Sequence, residues 1–283
     1  NEQKDWGSND PQSHVKIRGI SKRFGGVEAL IDIDLDIARG SIHGLVGENG
    51  AGKSTLGKIV AGALRQDEGE LVVDGRRVHY ATPRDALIDG ITMIHQEIAL
   101  VPKLTVLENV YLGIESRRAC VLQTRETRQR FDGLIAKSHF DLPPDAPVSS
   151  LSVSDQKKVE ILKAVARNAR LIVMDEPTAA LPDDETAKLI EIVRSLREAG
   201  TTIVYVSHFL EEVLGVADAV TVLRNGELIR TAPTEDETPE GLVTAMLGRS
   251  MSLTFPPKKF PAADALVVFS VRHLSRKGSV EDV

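Results

Sequence analysis

Cysteine is almost missing from this chain: Cys120 is the single one among 283 residues. That excludes an internal disulfide and fits a reducing compartment. A surplus of positive charge is missing too. The net charge of −6 excludes nucleic-acid binding driven by the electrostatics of the whole protein. No uninterrupted apolar run approaches the roughly 18 residues that suggest a membrane span. The first residues, Asn1 to Ser13, are polar and lack the apolar core of a signal peptide, so 1–13 is expected to be a disordered leader. The chain does not start with methionine, which points to a trimmed chain or a fragment. What is present is ordinary for a globular protein. Hydrophobic residues make up 42% and charged residues 27%, in a chain long enough for one large domain or two small ones.

The most informative segment is Gly47-Glu48-Asn49-Gly50-Ala51-Gly52-Lys53-Ser54-Thr55. It fits the phosphate-binding pattern Gly-x-x-x-x-Gly-Lys-[Ser/Thr] at every fixed position. The apolar run Ile42-His43-Gly44-Leu45-Val46 before it reads as a buried parallel strand, and Leu56 to Leu64 after it reads as a helix. Glycines let the loop curl so that backbone N–H groups point inward, and the helix adds its positive end. In that setting Lys53 reaches the β- and γ-phosphates and the Ser54 hydroxyl holds Mg²⁺.

Along the chain, Val15-Lys16-Ile17 and Ile31 to Ile37 alternate apolar and polar residues and predict half-exposed strands. Asp74-Gly75 and Asn225-Gly226 predict hairpins. Thr82-Pro83 starts a helix and Gly90 stops it. Ile91 to Ile94, Leu171 to Met174 and Thr202 to Val206 are further strands, and Thr105 to about Asn168 is mostly helical. Asp183 to Ala199 is an amphipathic helix stopped by Gly200. Strands alternating with helices predict an α/β fold with a mainly parallel sheet, an antiparallel β subdomain near the start, and an inserted helical subdomain at about 98–165. Phe255-Pro256-Pro257-Lys258-Lys259-Phe260-Pro261 reads as a linker. Beyond it, Leu266 to Ser275 echoes Val15 to Ser21, as though a second copy of the domain began there. Arg117-Arg118 to Arg130 reads as a solvated helix face.

Other residues separate the many uses of a phosphate loop. Asp175 and Glu176 follow a buried strand, where an aspartate reaches the Mg²⁺ shell and a glutamate serves a water as general base. Gln96 ends another strand and offers an amide oxygen to metal or water. His208 follows Thr202 to Val206, where a neutral imidazole can bond the γ-phosphate. Leu151-Ser152-Val153-Ser154-Asp155-Gln156 precedes a helix. Its hydroxyls suit either a phosphate or an ordinary N-cap.

In this order and spacing, over roughly Val15 to Gly248, these pieces resemble the ATP-binding cassette (ABC) family. The resemblance makes Phe24 the aromatic that stacks on adenine, and Gly47, Asn49, Gly50, Gly52, Lys53, Ser54 and Thr55 the Walker A loop. Gln96 is then the Q-loop glutamine, and Leu151 to Gln156 the signature, with Ser152, Ser154, Asp155 and Gln156 on nucleotide. Asp175 and Glu176 close Walker B, and His208 is the switch histidine. Ile94 to Pro102 and Ser154-Asp155-Gln156 look like the tandem ATPases of bacterial monosaccharide importers of the ribose, galactose, xylose and arabinose type.

That resemblance implies an ATPase using ATP and Mg²⁺ at the cytoplasmic face of the membrane, energising import of a monosaccharide. Its partners would be permease subunits, an external sugar-binding protein and a second cassette, in the same polypeptide or as a dimer, with no nucleic acid. The cassette would occupy 14–250, and 251–283 a linker and the start of another. In such pairs each ATP lies between one Walker A and the opposite signature. Competing expectations are a soluble cassette ATPase acting on ribosome or nucleic acid, and a regulatory cassette that does not turn over. Val153 and Ser154 stand where the family's Leu-Ser-Gly-Gly-Gln has glycines, and are expected to resist positive φ and crowd a phosphate. Ala179-Ala180-Leu181-Pro182 lacks the usual aspartate, with Asp183 next door.

Overall fold

Alternating apolar residues make the strands near the start a sheet with one buried face; continuous apolar runs make the central strands a sheet buried on both. The computed structural model describes residues 13–248 except 116, 119, 120, 123, 139 and 180. They all lie in the first of two units into which the chain divides, Asn1–Arg249. Leader, linker, echo and Cys120 lie outside the described residues. Chain order is β1 (Ser13–Phe24), β2 (Val27–Ala38), β3 (Ile42–Val46), α1 (Lys53–Val60), β4 (Glu68–Val73), β5 (Arg76–Val78), α2 (Pro83–Ile88) and β6 (Ile91–Ile94). Next come α3 (Val106–Tyr111), β7 (Arg117–Arg118), β8 (Val121–Leu122), α4 (Thr124–Ser138) and α5 (Val153–Ala166). Then follow β9 (Leu171–Asp175), α6 (Asp183–Glu198), β10 (Thr202–Val206), α7 (Leu210–Val216), β11 (Ala219–Arg224), β12 (Glu227–Pro233) and α8 (Pro239–Leu247).

The antiparallel sheet has the order β2-β1-β4-β5. Val15 faces Ile37 across one ladder and Val73 across the other, which puts these side chains on one buried face. The larger sheet has the order β12-β11-β3-β10-β9-β6, parallel from β11 to β6, with β12 antiparallel at one edge. Every residue of β3, β9 and β10 is buried. Helix α1 lies between the two sheets, where Leu56, Ile59 and Val60 join Ile17, Leu30, Val173 and Val206 in one core. A second core fills the space between the other face and the inserted helices, through Val110, Phe131, Val159, Leu162, Met174 and Tyr205.

Register decides what the strand ends bring together. Val206 pairs with Asp175 and with Leu45, and Ile94 with Met174. The carboxyl ends of β3, β10, β9 and β6 are therefore level, and the residues just beyond them share one edge, the side where open α/β sheets bind ligands.

The expected mainly parallel sheet, antiparallel subdomain and helical insertion are all present. Two local expectations need correction. The helix read as Leu56 to Leu64 ends at Val60, because Gly62 takes φ +67° and the N–H groups of Ala63 and Leu64 both turn back to the Lys58 carbonyl. The basic run from Arg117 begins as a two-stranded ribbon, Arg117 opposite Leu122, and the helix starts only at Thr124. Cross-strand pairing there takes the backbone groups a helix needs.

His43 has a consequence for acid stability. It is buried in β3, with Nε2 2.8 Å from Thr221 Oγ1, and burial pushes its pKa down to about 4. The unfolded chain binds this proton below about pH 6.5 and the native chain only near 4, so stability falls as pH drops through that window. Between pH 7 and pH 5 the wild type is expected to lose about 2 kcal/mol more than His43→Gln. Urea unfolding of both proteins at the two pH values measures the difference; equal losses would remove His43 as the cause.

Candidate nucleotide and catalytic site

The loop Gly47 to Thr55 hangs from the buried end of β3 and feeds α1. Its glycines are required by space as much as by dihedral angle. A Cβ on Gly47 would stand 2.3 Å from the Leu223 carbonyl oxygen. Gly52, at φ +104°, would place one 2.6 Å from the Ala29 carbonyl oxygen. Glu48, Asn49 and Gly50 form the exposed crest of the loop, and Ser54 and Thr55 open the helix behind it. Lys53 is only 6% exposed. Its Nζ donates to the carbonyls of Gly47 at 2.8 Å and Glu48 at 3.0 Å, so the ammonium holds the two ends of the loop together. Burial lowers the lysine pKa, and the carboxylates of Glu176 and Asp175 oppose the shift.

Asp175 is the last residue of β9 and Ser54 opens the helix after the loop, 121 residues earlier. The Ser54 hydroxyl donates to Asp175 Oδ1 at 2.8 Å. Glu176 follows at φ +51°, a conformation that costs a non-glycine residue about 1–3 kcal/mol. Its N–H donates to Val206 O at 2.9 Å, which holds the turn and swings the carboxylate out of line with the strand. His208 meets it from the neighbouring strand end: Nδ1 lies 2.8 Å from Oε1 and 2.7 Å from Oε2. Ser207 sets the histidine's approach. It is fully buried, and its hydroxyl accepts from the Phe209 N–H at 3.0 Å. The His208 and Phe209 rings lie 4.1 Å apart, centroid to centroid.

Gln96 stands two residues beyond β6 and is exposed. Phe24 ends β1, 47% exposed, with Lys22 Nζ 5.5 Å from its ring centre. The signature residues behave differently. Ser152 caps α5: its hydroxyl accepts from Asp155 N at 3.1 Å and donates to Asp155 Oδ2 at 2.9 Å. The Ser154 hydroxyl donates to Glu185 of α6, and Gln156 Nε2 donates to Leu151 O at 3.0 Å. Asp155 Oδ1 takes Lys158 Nζ at 2.8 Å. Among the described residues, none of these bonds reaches the Gly47 to Thr55 loop. Val153 and Ser154 are helical residues of α5 and neither has positive φ. What sets this signature apart is charge: Asp155 lies within it and Glu185 stands beside it. The bonds from Ser154 and Lys188 pull the Glu185 pKa down to about 2, so that carboxylate is ionised.

Sequence reasoning missed Lys157, Glu160, Glu185 and the bond between His208 and Glu176. The i,i+3 spacing of Lys157 and Glu160 was visible, but helical charge pairs are usually solvated, and only packing shows these two buried.

A family model described as ABC transporter matches residues 30–179, the stretch that runs from near the start of β2 through the loop, α5, Asp175 and Glu176. The chain belongs to the ABC transporter family. Relatives in the family agree over much more of it. A "Putative ribose/galactose/methyl galactoside import ATP-binding protein" of Ralstonia nicotianae is 43% identical over 270 residues, 95% of this chain and 52% of its own length. A "Ribose import ATP-binding protein RbsA 2" of Streptomyces avermitilis is 42% identical over 274 residues, 96% of this chain and 54% of its own. The chain thus spans about half the length of the curated relatives it matches. Among solved structures, an ATP-binding cassette of an ABC transporter in its ADP conformation superposes with a TM-score of 0.73 at 26% identity, over 84% of this chain and 99% of that one. A dimeric cassette in a post-hydrolysis state bound to ADP and Pi gives 0.68 at 26% identity, over 78% and 98%.

Proposed function

We propose that this chain binds and hydrolyses ATP to energise import of a monosaccharide through a membrane permease. The observation that carries the ATP reaction is the meeting of Ser54 with Asp175, level with Glu176 and His208, at the mouth of a glycine loop that closes on Lys53. The sugar rests on the printed names of the relatives, which describe import ATP-binding proteins for ribose and galactose.

The donor set fits Mg²⁺. Among the described residues no cluster of three His, Cys, Asp or Glu side chains could hold a metal alone. A hydroxyl and a carboxylate oxygen 2.8 Å apart instead offer two hard ligands, the number this ion takes from proteins when phosphates supply others. Ser54 and Asp175 would hold the ion, and Gln96, two residues beyond the neighbouring strand β6, would add its amide oxygen; bound there, the ion would neutralise charge on the β- and γ-phosphates. Backbone N–H groups of Asn49 to Thr55 and Lys53 Nζ would bind the phosphates. Phe24 would face the base. Glu176 would take the proton of the attacking water. His208 Nδ1 donates to that carboxylate and orients it.

The far side of the nucleotide would come from a second cassette. The hydroxyls and amide of Ser152, Ser154 and Gln156 are bonded within this chain, and two carboxylates flank them, so this signature suits a phosphate poorly. The cassette would occupy 14–250, with its helical part at about 98–165. Residues 251–283 would be a linker and the start of another cassette, a reading supported by the Leu266 to Ser275 echo and the greater length of the relatives. No described helix is long and apolar enough to cross a membrane, and a peripheral place on the cytoplasmic face follows from the permease partnership. A solute-binding protein outside would choose the sugar.

The test is steady-state hydrolysis by the isolated chain. Without an opposing signature its turnover is expected to fall about a hundredfold below that of the full assembly, the usual weight of positioned charge-stabilising donors, and to rise with chain concentration. A brisk rate independent of concentration would show that one cassette suffices.

A further inference from the structure

The inserted helices are joined to the nucleotide edge by a buried ion pair that the proposed chemistry leaves unused. Lys157 and Glu160 stand one turn apart on α5, and their side chains are 4% and 6% exposed. Lys157 Nζ donates to the carbonyl of His95 at 2.7 Å, to that of Gln96 at 3.1 Å, and to Glu160 Oε2 at 3.3 Å. Glu160 Oε1 accepts the N–H of Ala99 at 2.8 Å. The two side chains thus grip the backbone on both sides of Gln96, and they grip it from the helix that begins at Ser152.

Stability does not account for this arrangement. Taking two charges out of water costs about as much as their attraction returns, and apolar residues of similar volume hold elements together as well or better. What the pair adds is direction. An ammonium with three donors, aimed at two successive carbonyls, fixes the height and rotation of one short segment against a rigid helix. That segment leaves β6 at Ile94, which pairs with Met174, the residue before Asp175. Gln96 is therefore held at the catalytic edge by its backbone while its side chain stays exposed.

We propose that Lys157 and Glu160 are a positioning pair for the nucleotide reaction: a buried clamp that sets where Gln96 stands and ties it to the helix beginning at Ser152. A shift of Gln96 toward nucleotide then pulls on the N-terminal turns of α5, and a shift of α5 moves Gln96. The inference rests on the ATP reaction proposed above.

Three disrupting variants test it in the full-length protein assembled with its permease, alongside one conservative variant: Lys157→Met, Glu160→Gln, and the double variant Lys157→Met with Glu160→Leu disrupt the pair. Displacing a positioned group by about 1 Å costs roughly a hundredfold in rate. Each disrupting variant is therefore expected to lower kcat about 10- to 100-fold, with the KM and Kd for ATP within about twofold of wild type. The double variant separates positioning from packing. It is expected to melt no lower than wild type and still be slow. Lys157→Arg, which keeps the charge and the donors, is expected to recover most of the rate. A second readout needs no turnover: ATP should slow hydrogen exchange across residues 152–166 of this chain in the wild type and leave the double variant unchanged. A stable double variant with wild-type kcat and a wild-type exchange response would overturn the clamp, as would rate losses that merely follow ATP affinity. A wild type that neither binds nor hydrolyses ATP would overturn the function instead, so the two failures are distinct.

Discussion

Replacing Glu176 by glutamine is expected to leave ATP binding within about twofold of wild type and to cut turnover by roughly 10²–10⁴-fold in the full assembly, the usual contribution of a general base. The geometry makes this a clean substitution. Glutamine is isosteric, its amide oxygen still accepts from His208 Nδ1, and the Glu176 N–H keeps its bond to Val206 O. The positive φ at this position is no worse for glutamine than for glutamate. Only the capacity to take a proton is lost. Lys53 and the loop amides, which would hold the phosphates, are untouched. Nucleotide titration alongside phosphate release checks both halves. A variant that hydrolyses at the wild-type rate would remove Glu176 as the base and leave His208 as the group to test next.

Lys53→Ala is expected to weaken ATP binding about a hundredfold or more. An ammonium bonding two phosphates makes charge-assisted contacts of about 1.5–3 kcal/mol each, and alanine makes neither. Two further effects act in the same direction. The Nζ bonds to Gly47 O and Glu48 O are lost, so the loop that should curl round the phosphates is less constrained. The cation that Asp175 and Glu176 act on also goes, leaving those carboxylates to repel the incoming phosphates. Folding should suffer little, because burial already disfavours the charged lysine. Calorimetric titration of the variant with Mg²⁺ and ATP reads the loss, and wild-type affinity would disqualify Lys53 as the phosphate ligand. Set beside Glu176→Gln, the pair of results separates binding from chemistry: one should weaken the first, the other slow only the second.

Much of this was legible in the sequence, for reasons that can be named. The glycine loop was legible because a phosphate cradle needs residues without Cβ at fixed spacing; the 2.3 Å and 2.6 Å clashes that side chains would make at Gly47 and Gly52 show why. The buried strands were legible because a parallel strand covered on both faces carries a continuous apolar run, as Leu171 to Met174 and Ile203 to Val206 do. The turn at Asp74-Gly75 was legible because both residues take positive φ.

Other features were not. The two-residue ribbon at Arg117 is too short for any periodicity to show. The end of α1 depends on Gly62 adopting a left-handed conformation, which a single glycine allows but does not require. The charge around the signature was not legible either. Val153 and Ser154 keep a helical backbone, and what opposes a phosphate there is the charge of Asp155 and Glu185, the second brought in from α6.

Sequence alone determined the parts of this protein: the phosphate loop, the acidic pair after a buried strand, the glutamine and histidine at strand ends, and an order shared with one family. These are local matters, decided by spacing and by which residues a strand or a tight loop tolerates. Tertiary structure alone decided which parts touch. Parallel register levelled four strand ends, bringing Ser54 to Asp175 across 121 residues and His208 to Glu176 across 32. Helix packing buried Lys157 and Glu160 against the backbone of Gln96. Contacts of that kind depend on long-range pairing of elements, and no window of neighbouring residues contains them.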